Sequence, residues 1–250
     1  MSSTALASVW PIVLVILAYL LGSLSFAVIV SRSMGLADPR SYGSGNPGAT
    51  NVLRSGNRKA ALATLILDAL KGTVAVLIAR ALAPSLGLGD GTLAWVGLAA
   101  FVGHVWPVFF RFEGGKGVAT AAGVLLAVNP LMGLSVLGVW LAVAFVTRYS
   151  SLAAILAALA APVLQVMIWG SSDITVPVVL MSLVLVWRHS SNINKLIRGT
   201  EGKIGQKAKP GAAAAAAAGD AAEPQVVHHR HGRTEKTPIK KGRQSSSRRR

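Results

Sequence analysis

The chain of 250 residues contains no cysteine, which excludes disulfides, thiolate metal sites and cysteine nucleophiles. No charged residue occurs before Arg32. The N-terminus therefore lacks the basic region of a signal peptide, and its apolar run is too long for the core of one. Asp, Glu and His nowhere cluster at divalent-metal spacing, so neither a metal nor a cofactor is expected. No internal repeat of the inverted-transporter kind is evident. What the chain has in excess is apolar material: 52% of residues are hydrophobic and the mean hydropathy is +0.55.

That material falls into seven segments, near 9–30, 60–82, 92–110, 117–128, 131–147, 151–169 and 174–188. Runs of about 20 apolar residues have the length of membrane-spanning helices. The fourth is short, and Asn129-Pro130 divides it from the fifth. Positive charge alternates from one connection to the next. Arg32, Arg40, Arg54, Arg58 and Lys59 follow the first segment, Arg111 and Lys116 the third, Arg148 the fifth, and Arg188, Lys195 and Arg198 the last. The other connections carry Asp90 and Asp173 and no Lys or Arg. By the positive-inside rule this predicts an all-α integral membrane protein with seven transmembrane helices, one short, its N-terminus outside and its C-terminus cytoplasmic.

Two domains are expected: a transmembrane domain over 1–205 and a disordered basic cytoplasmic tail over 206–250. The formal net charge is +16, and the tail holds half of it, with an alanine run at 212–218 and few large apolar residues. Anionic lipid headgroups would attract its basic end by about 1 kcal/mol per well-placed Lys or Arg.

The stretch YGSGNPGATN, residues 42–51, has the glycine spacing of a dinucleotide fingerprint. That fingerprint has meaning only between a strand and a helix, and here it follows a membrane span. Its physics survives the loss of the fold: glycines let backbone N–H groups close around an anion. Ser44, Gly45, Asn46 and Arg54 suit a phosphate. A second loop, FEGGKGVAT at 112–120, frames Lys116 with three glycines at the start of an apolar helix, where an anion is favoured. It is not a Walker A loop, because Gly117 follows the lysine where Ser or Thr belongs. A third cluster, WRHSSNINKLIRG at 187–199, puts Arg188, His189 and Asn192 on adjoining helix positions. TRYSSLA at 147–153 adds Arg148, Ser150 and Ser151 on the same side. Asp68 and Lys71, inside the second span, can form an ion pair across one helical turn. The His-x4-Asp motif of soluble-type glycerolipid acyltransferases is absent: the fifth residue after His104 is Phe109, and after His189 it is Asn194. Four inner segments rich in phosphate-binding residues point to a site at the inner membrane boundary for a phosphorylated, partly apolar substrate.

LLGSLSFAVIVSR, DPRSYGSGNPGATNVLR (38–54), GHVWPVFFRFEGGKGVAT (103–120), TRYSSLA and RHSSNI (188–193) together resemble the PlsY-type bacterial glycerol-3-phosphate acyltransferases, from about residue 9 to 205. The resemblance implies a multi-pass enzyme of the bacterial inner membrane with its active site facing the cytoplasm. Such an enzyme transfers an acyl group from acyl-phosphate to the 1-hydroxyl of sn-glycerol 3-phosphate, giving lysophosphatidic acid and phosphate, the first step of phospholipid synthesis. It implies Ser44, Gly45, Asn46, Arg54, Lys116 and Arg188 as phosphate ligands and His189, Asn192 and Ser151 as catalytic residues. Ser23 and His104 fall in the shared motifs without an assigned role. A functional link to an enzyme that makes acyl-phosphate is implied too. The chain departs from the family in having Ser25 where a proline is common. A transporter or flippase for a phosphorylated lipid is the other class considered, but it needs a polar through-path, and Asp68 and Lys71 alone supply little of one. A lipid phosphatase lacks its paired His-Arg motifs here, and a CDP-alcohol phosphotransferase its repeated aspartates.

Overall fold

The computed structural model describes residues 9–206, so the tail expected from 206 onward lies, from residue 207, outside the described residues. The described chain is all-helical: α1 (Trp10–Gly22), α2 (Phe26–Ser33), α3 (Ala49–Leu53), α4 (Arg58–Leu86), α5 (Asp90–Val105), α6 (Val118–Val128), α7 (Pro130–Thr147), α8 (Ser150–Trp169), α9 (Thr175–Arg188) and α10 (Ser190–Ile197). Polar caps set several boundaries. The Asn57 side chain accepts from the amide of Ala60 at 3.0 Å to open α4, and that of Asn129 accepts from Met132 at 3.1 Å to open α7. Pro130 at the first position of α7 needs no amide partner.

Five stretches are long and apolar enough to cross a membrane: Trp10–Ser33 (α1 and α2, interrupted at Ser23–Ser25), α4, α5 with its extension to Phe110, α7 and α8. A sixth arises if α9 and α10, bent by 54° at His189, count as one span. The fourth segment expected from the sequence is α6, with only 11 residues. At 1.5 Å per residue it reaches about 16 Å, roughly half of a hydrocarbon core. The last turn of a helix leaves carbonyls without an amide partner. Arg80 of α4 donates from Nη2 to the carbonyl of Val128 at 2.7 Å, satisfying one of them.

Lipid is as apolar as leucine, so helices in a membrane associate by close packing and scattered polar bonds. Small residues do this here. A side chain at Gly22 would collide with the carbonyl of Ala100 on α5, and one at Gly123 of α6 with the carbonyl of Ala69 on α4. Thr73 and Thr120 fasten the α4–α6 seam by hydrogen bonds to Gly123 O and Asp68 O, at 3.0 and 2.9 Å. Helix α5 is the central post, buried along most of its length. Large apolar side chains such as Ile12, Leu62, Phe145 and Leu183 cover the outside.

The expected Asp68–Lys71 pair forms at 2.9 Å, with side chains 3% and 1% exposed. The structure adds two partners. Lys71 Nζ donates to the carbonyl of Leu24 in the α1–α2 break at 2.7 Å, and His104 Nδ1 lies 3.5 Å from Asp68 Oδ1. Two helices, α4 and α5, and one helix break thus meet at one buried charge cluster.

Candidate active site

Four connections meet at one end of the bundle: 34–57, 106–117, 148–149 and the chain from 188 on. Arg40 of the first reaches Glu113 of the second at 3.5 Å. Arg188 donates to the carbonyls of Gly114 and Gly115, at 2.9 and 3.3 Å. The amide of Ile204 donates to the carbonyl of Arg148 at 2.7 Å. These are the connections that the sequence singles out for their basic charge.

The first glycine loop is shaped from within. Asn51, buried at the start of the short α3, accepts from the amide of Ser44 at 3.0 Å. Its amide group donates to the carbonyls of Pro39 and Tyr42 at 2.6 and 3.1 Å. One side chain therefore ties three points of the loop together, in place of a strand. Gly43 has φ 63°, and a side chain there would strike Asn51 Oδ1. The short α3 and the absence of any strand among the described residues agree with setting the dinucleotide reading aside.

The second loop is pressed against α5. The amide of Gly115 donates to the carbonyl of His104 at 3.1 Å, and a Cβ on Gly115 would collide with His104 Nε2. The same Cβ would sit 2.9 Å from the carbonyl of Pro47 in the first loop. Glycine is required because two loops and an imidazole converge there.

Between the loops and α10 lies a polar cavity of about 340 Å³. Ser44, Gly45 and Asn46 form one wall, Gly114 and Lys116 a second, and Arg188, Asn192 and Lys195 a third. Three cations face an opening walled by hydroxyl and amide groups, an arrangement that fits phosphate. Lys116 is held at a pKa of about 8, chiefly because burial disfavours its charge. Glu201 opposes that shift, and Lys195, Arg54 and Arg188 add to it.

Of the residues expected from the sequence, Ser44, Gly45, Asn46, Lys116, Arg188 and Asn192 line this cavity. The others do not. Arg54 lies on the rim, its side chain beside Gly43 and Gly202, with no hydrogen-bond or ion-pair partner among the described residues. His189 is buried in the turn below, where Nδ1 donates to the carbonyl of Leu185 at 2.8 Å and Nε2 is left as the acceptor. Ser151 is buried and donates to Glu201 Oε1 at 2.6 Å. Ser23 is buried as well, and its hydroxyl bonds the carbonyl of Tyr19 at 2.8 Å. His104 belongs to the Asp68–Lys71 cluster behind the second loop.

Glu201 is the residue that sequence reading missed. Its Oε1 accepts from Ser151 and from Asn192 Nδ2, the latter at 2.7 Å, and Asn192 Oδ1 accepts from Lys116. A chain of bonds, Lys116–Asn192–Glu201–Ser151, thus ties the second loop, α10, the segment after it and the start of α8. The sequence did hold a signal: Glu201 is the lone acid among Lys195, Arg198 and Lys203. Ser190, Ser191 and Lys195 also line the cavity without having been assigned a role.

Beside the polar cavity runs an apolar groove of about 300 Å³ between α8 and α9, open along its length and walled by residues such as Ala158, Leu159, Pro162 and Val179. The two share one wall residue, Trp187.

The family model for glycerol-3-phosphate acyltransferase matches residues 12–199. A glycerol-3-phosphate acyltransferase of Paraburkholderia phymatum is 58% identical over 203 residues, covering 81% of this chain and 97% of that one. One from Burkholderia multivorans is 60% identical over 199 residues, covering 79% and 92%. Among solved structures, the chain resembles the integral membrane glycerol 3-phosphate acyltransferase PlsY in its glycerol 3-phosphate form, with TM-score 0.72 and 40% identity over 78% of this chain and 96% of that one. The lysophosphatidic acid form gives 0.70 and 39%, over 77% and 94%.

Proposed function

The chain belongs to the glycerol-3-phosphate acyltransferase family, of PlsY type, and from that membership we propose that it moves an acyl group from acyl-phosphate to the 1-hydroxyl of sn-glycerol 3-phosphate. The products are lysophosphatidic acid and inorganic phosphate. The observation that carries this reading is the cavity itself: three cations and two loops around a polar space of about 340 Å³, with an apolar groove alongside.

Both substrates bring a phosphate, and only the donor brings an acyl chain. Lys116, Arg188 and the amides near Ser44–Asn46 hold the phosphates, and Arg54 swings in from the rim. Each charge-assisted bond contributes about 1.5–3 kcal/mol. Holding hydroxyl oxygen and acyl carbon in contact supplies much of the acceleration. The hydroxyl oxygen attacks the acyl carbon, the new ester bond forms, and the bond from that carbon to the phosphate oxygen breaks. The leaving phosphate carries the electron pair away. No acyl-enzyme is formed, and the burial of Ser151 outside the cavity lining supports this. The hydroxyl proton passes to a substrate phosphate oxygen or to His189 Nε2. The placement of His189 below the cavity favours the phosphate. Asn192 fixes Lys116 directly, and Ser151 acts on it through Glu201 and Asn192.

The same reading sets the protein in the bacterial inner membrane, N-terminus outside, the site facing the cytoplasm. All the basic connections meet at the site end of the bundle, which supports this orientation. In a seven-segment topology α6 enters from that side and α7 returns to it. Residues 1–205 form the catalytic domain, and anionic headgroups would attract the basic residues that follow it. A membrane enzyme fed with acyl-phosphate also needs a partner enzyme that makes it.

Detergent-solubilised protein supplied with glycerol 3-phosphate and palmitoyl-phosphate is expected to make lysophosphatidic acid, and with palmitoyl-CoA to make none. Equal rates with the two donors would overturn the donor assignment. No product from either would overturn the activity.

A further inference from the structure

Trp187 stands where the apolar groove meets the polar cavity and lines both. Its indole is 58% exposed, yet it is not loose. It stacks on Trp106 at 5.9 Å between ring centroids, tilted by 33°. The guanidinium of its neighbour Arg188 lies 5.9 Å from its ring. Trp106 is held in turn, because Tyr19 donates from its hydroxyl to the Trp106 carbonyl at 2.8 Å. Arg188 is anchored by the carbonyls of Gly114 and Gly115. A rigid aromatic plane is thus presented at the boundary between a phosphate environment and a hydrocarbon one. Such amphipathic rings suit a ligand that is polar at one end and apolar at the other.

We infer that Trp187 is the residue that recognises the acyl chain where it leaves the polar cavity, and that it thereby sets the register of acyl carbon against the bound phosphates. This rests on the acyltransferase reading and deepens it. The first methylenes lie against the indole, and the rest of the chain follows α9 back toward Val179. Eight residues of helix separate Trp187 from Val179, about 12 Å of groove. Glycerol 3-phosphate has no acyl chain and does not touch the indole. Trp187 is therefore a specificity residue for the lipid ligands alone.

The test compares two ligands that share a phosphate and differ in the chain. Equilibrium binding of lysophosphatidic acid and of glycerol 3-phosphate is measured on the full chain in detergent, for wild type, Trp187→Ala and Trp187→Phe. Trp187→Ala is expected to weaken lysophosphatidic acid about tenfold, the scale of one well-placed aromatic contact, and to leave glycerol 3-phosphate within about twofold. Trp187→Phe, which keeps a ring, is expected to recover most of the loss. Unchanged lysophosphatidic acid binding in Trp187→Ala would overturn the inference, as would equal weakening of both ligands, the mark of a merely structural role. The measurement does not depend on the donor. Should the wild type fail to use palmitoyl-phosphate while lysophosphatidic acid binding still follows Trp187, the donor reading falls and this one stands.

Discussion

At the scale of residues the site is organised around Lys116, whose charge is held in check by burial. With a pKa of about 8, down from 10.5, the ammonium is present below that pH and is lost as pH rises through it. A phosphate monoester is already dianionic there, its second pKa being about 6. The alkaline limb of kcat/KM for glycerol 3-phosphate is therefore expected near pH 8, because kcat/KM reports the free enzyme. In kcat it lies higher, since bound phosphate favours the ammonium. Lys116→Arg keeps its charge at every working pH, so the limb should move upward even where the maximal rate falls. A limb that stays put in Lys116→Arg would show that another group titrates. The residues around Lys116 were unevenly legible. Ser44, Lys116, Arg188 and Asn192 stand in glycine loops and clusters that turns and positive-inside anchors explain only in part, and the structure brings them to one cavity. Glu201 escaped because a lone acid in a basic run reads as a solvated charge. Only its contacts with Ser151 and Asn192, residues 50 and 9 positions away, reveal otherwise. Asn51, in the same stretch as Ser44, is spent on its own loop.

Among the elements, α6 shows where reading by hydropathy stops. Its sequence is apolar throughout and counted as a span, but 11 residues cannot cross a bilayer. The missing information was tertiary. Arg80 lies within the second apolar segment, where a lone arginine carries no positional meaning until its partner is known. Its bond to Val128 O gives the last turn of α6 a donor from another helix. Replacing Arg80 by leucine leaves that carbonyl without a donor and is expected to cost about 1–3 kcal/mol. Thermal unfolding in detergent should show the lower midpoint, with Arg80→Lys losing less because an ammonium can still donate. If Arg80→Leu melts with the wild type, the α6 terminus is satisfied in another way. The bend at His189 was hidden for the same reason. Helix α9 is apolar and helix α10 polar, with no breaker residue between them, and the 54° turn falls at His189, between the anchored Arg188 and Asn192.

For the whole molecule, the alternation of charge was the most informative feature, because it specified which connections share a side before any contact was known. The structure joins those same connections by the Arg40–Glu113, Arg188–Gly114 and Arg148–Ile204 contacts. Which side that is can be read by thiol labelling. The chain's lack of cysteine makes the question direct, since any cysteine introduced is the sole thiol. Ser191 lines the polar cavity and Ser171 lies in the acidic connection between α8 and α9, and both are exposed. In intact cells, a membrane-impermeant maleimide is expected to label Ser171→Cys and spare Ser191→Cys. After lysis both should react, and glycerol 3-phosphate should slow only Ser191→Cys. Labelling of Ser191→Cys in intact cells would reverse the orientation and place the site outside, where neither a cytoplasmic acyl donor nor glycerol 3-phosphate could reach it. The topology and the proposed chemistry therefore stand or fall on the same pair of thiols.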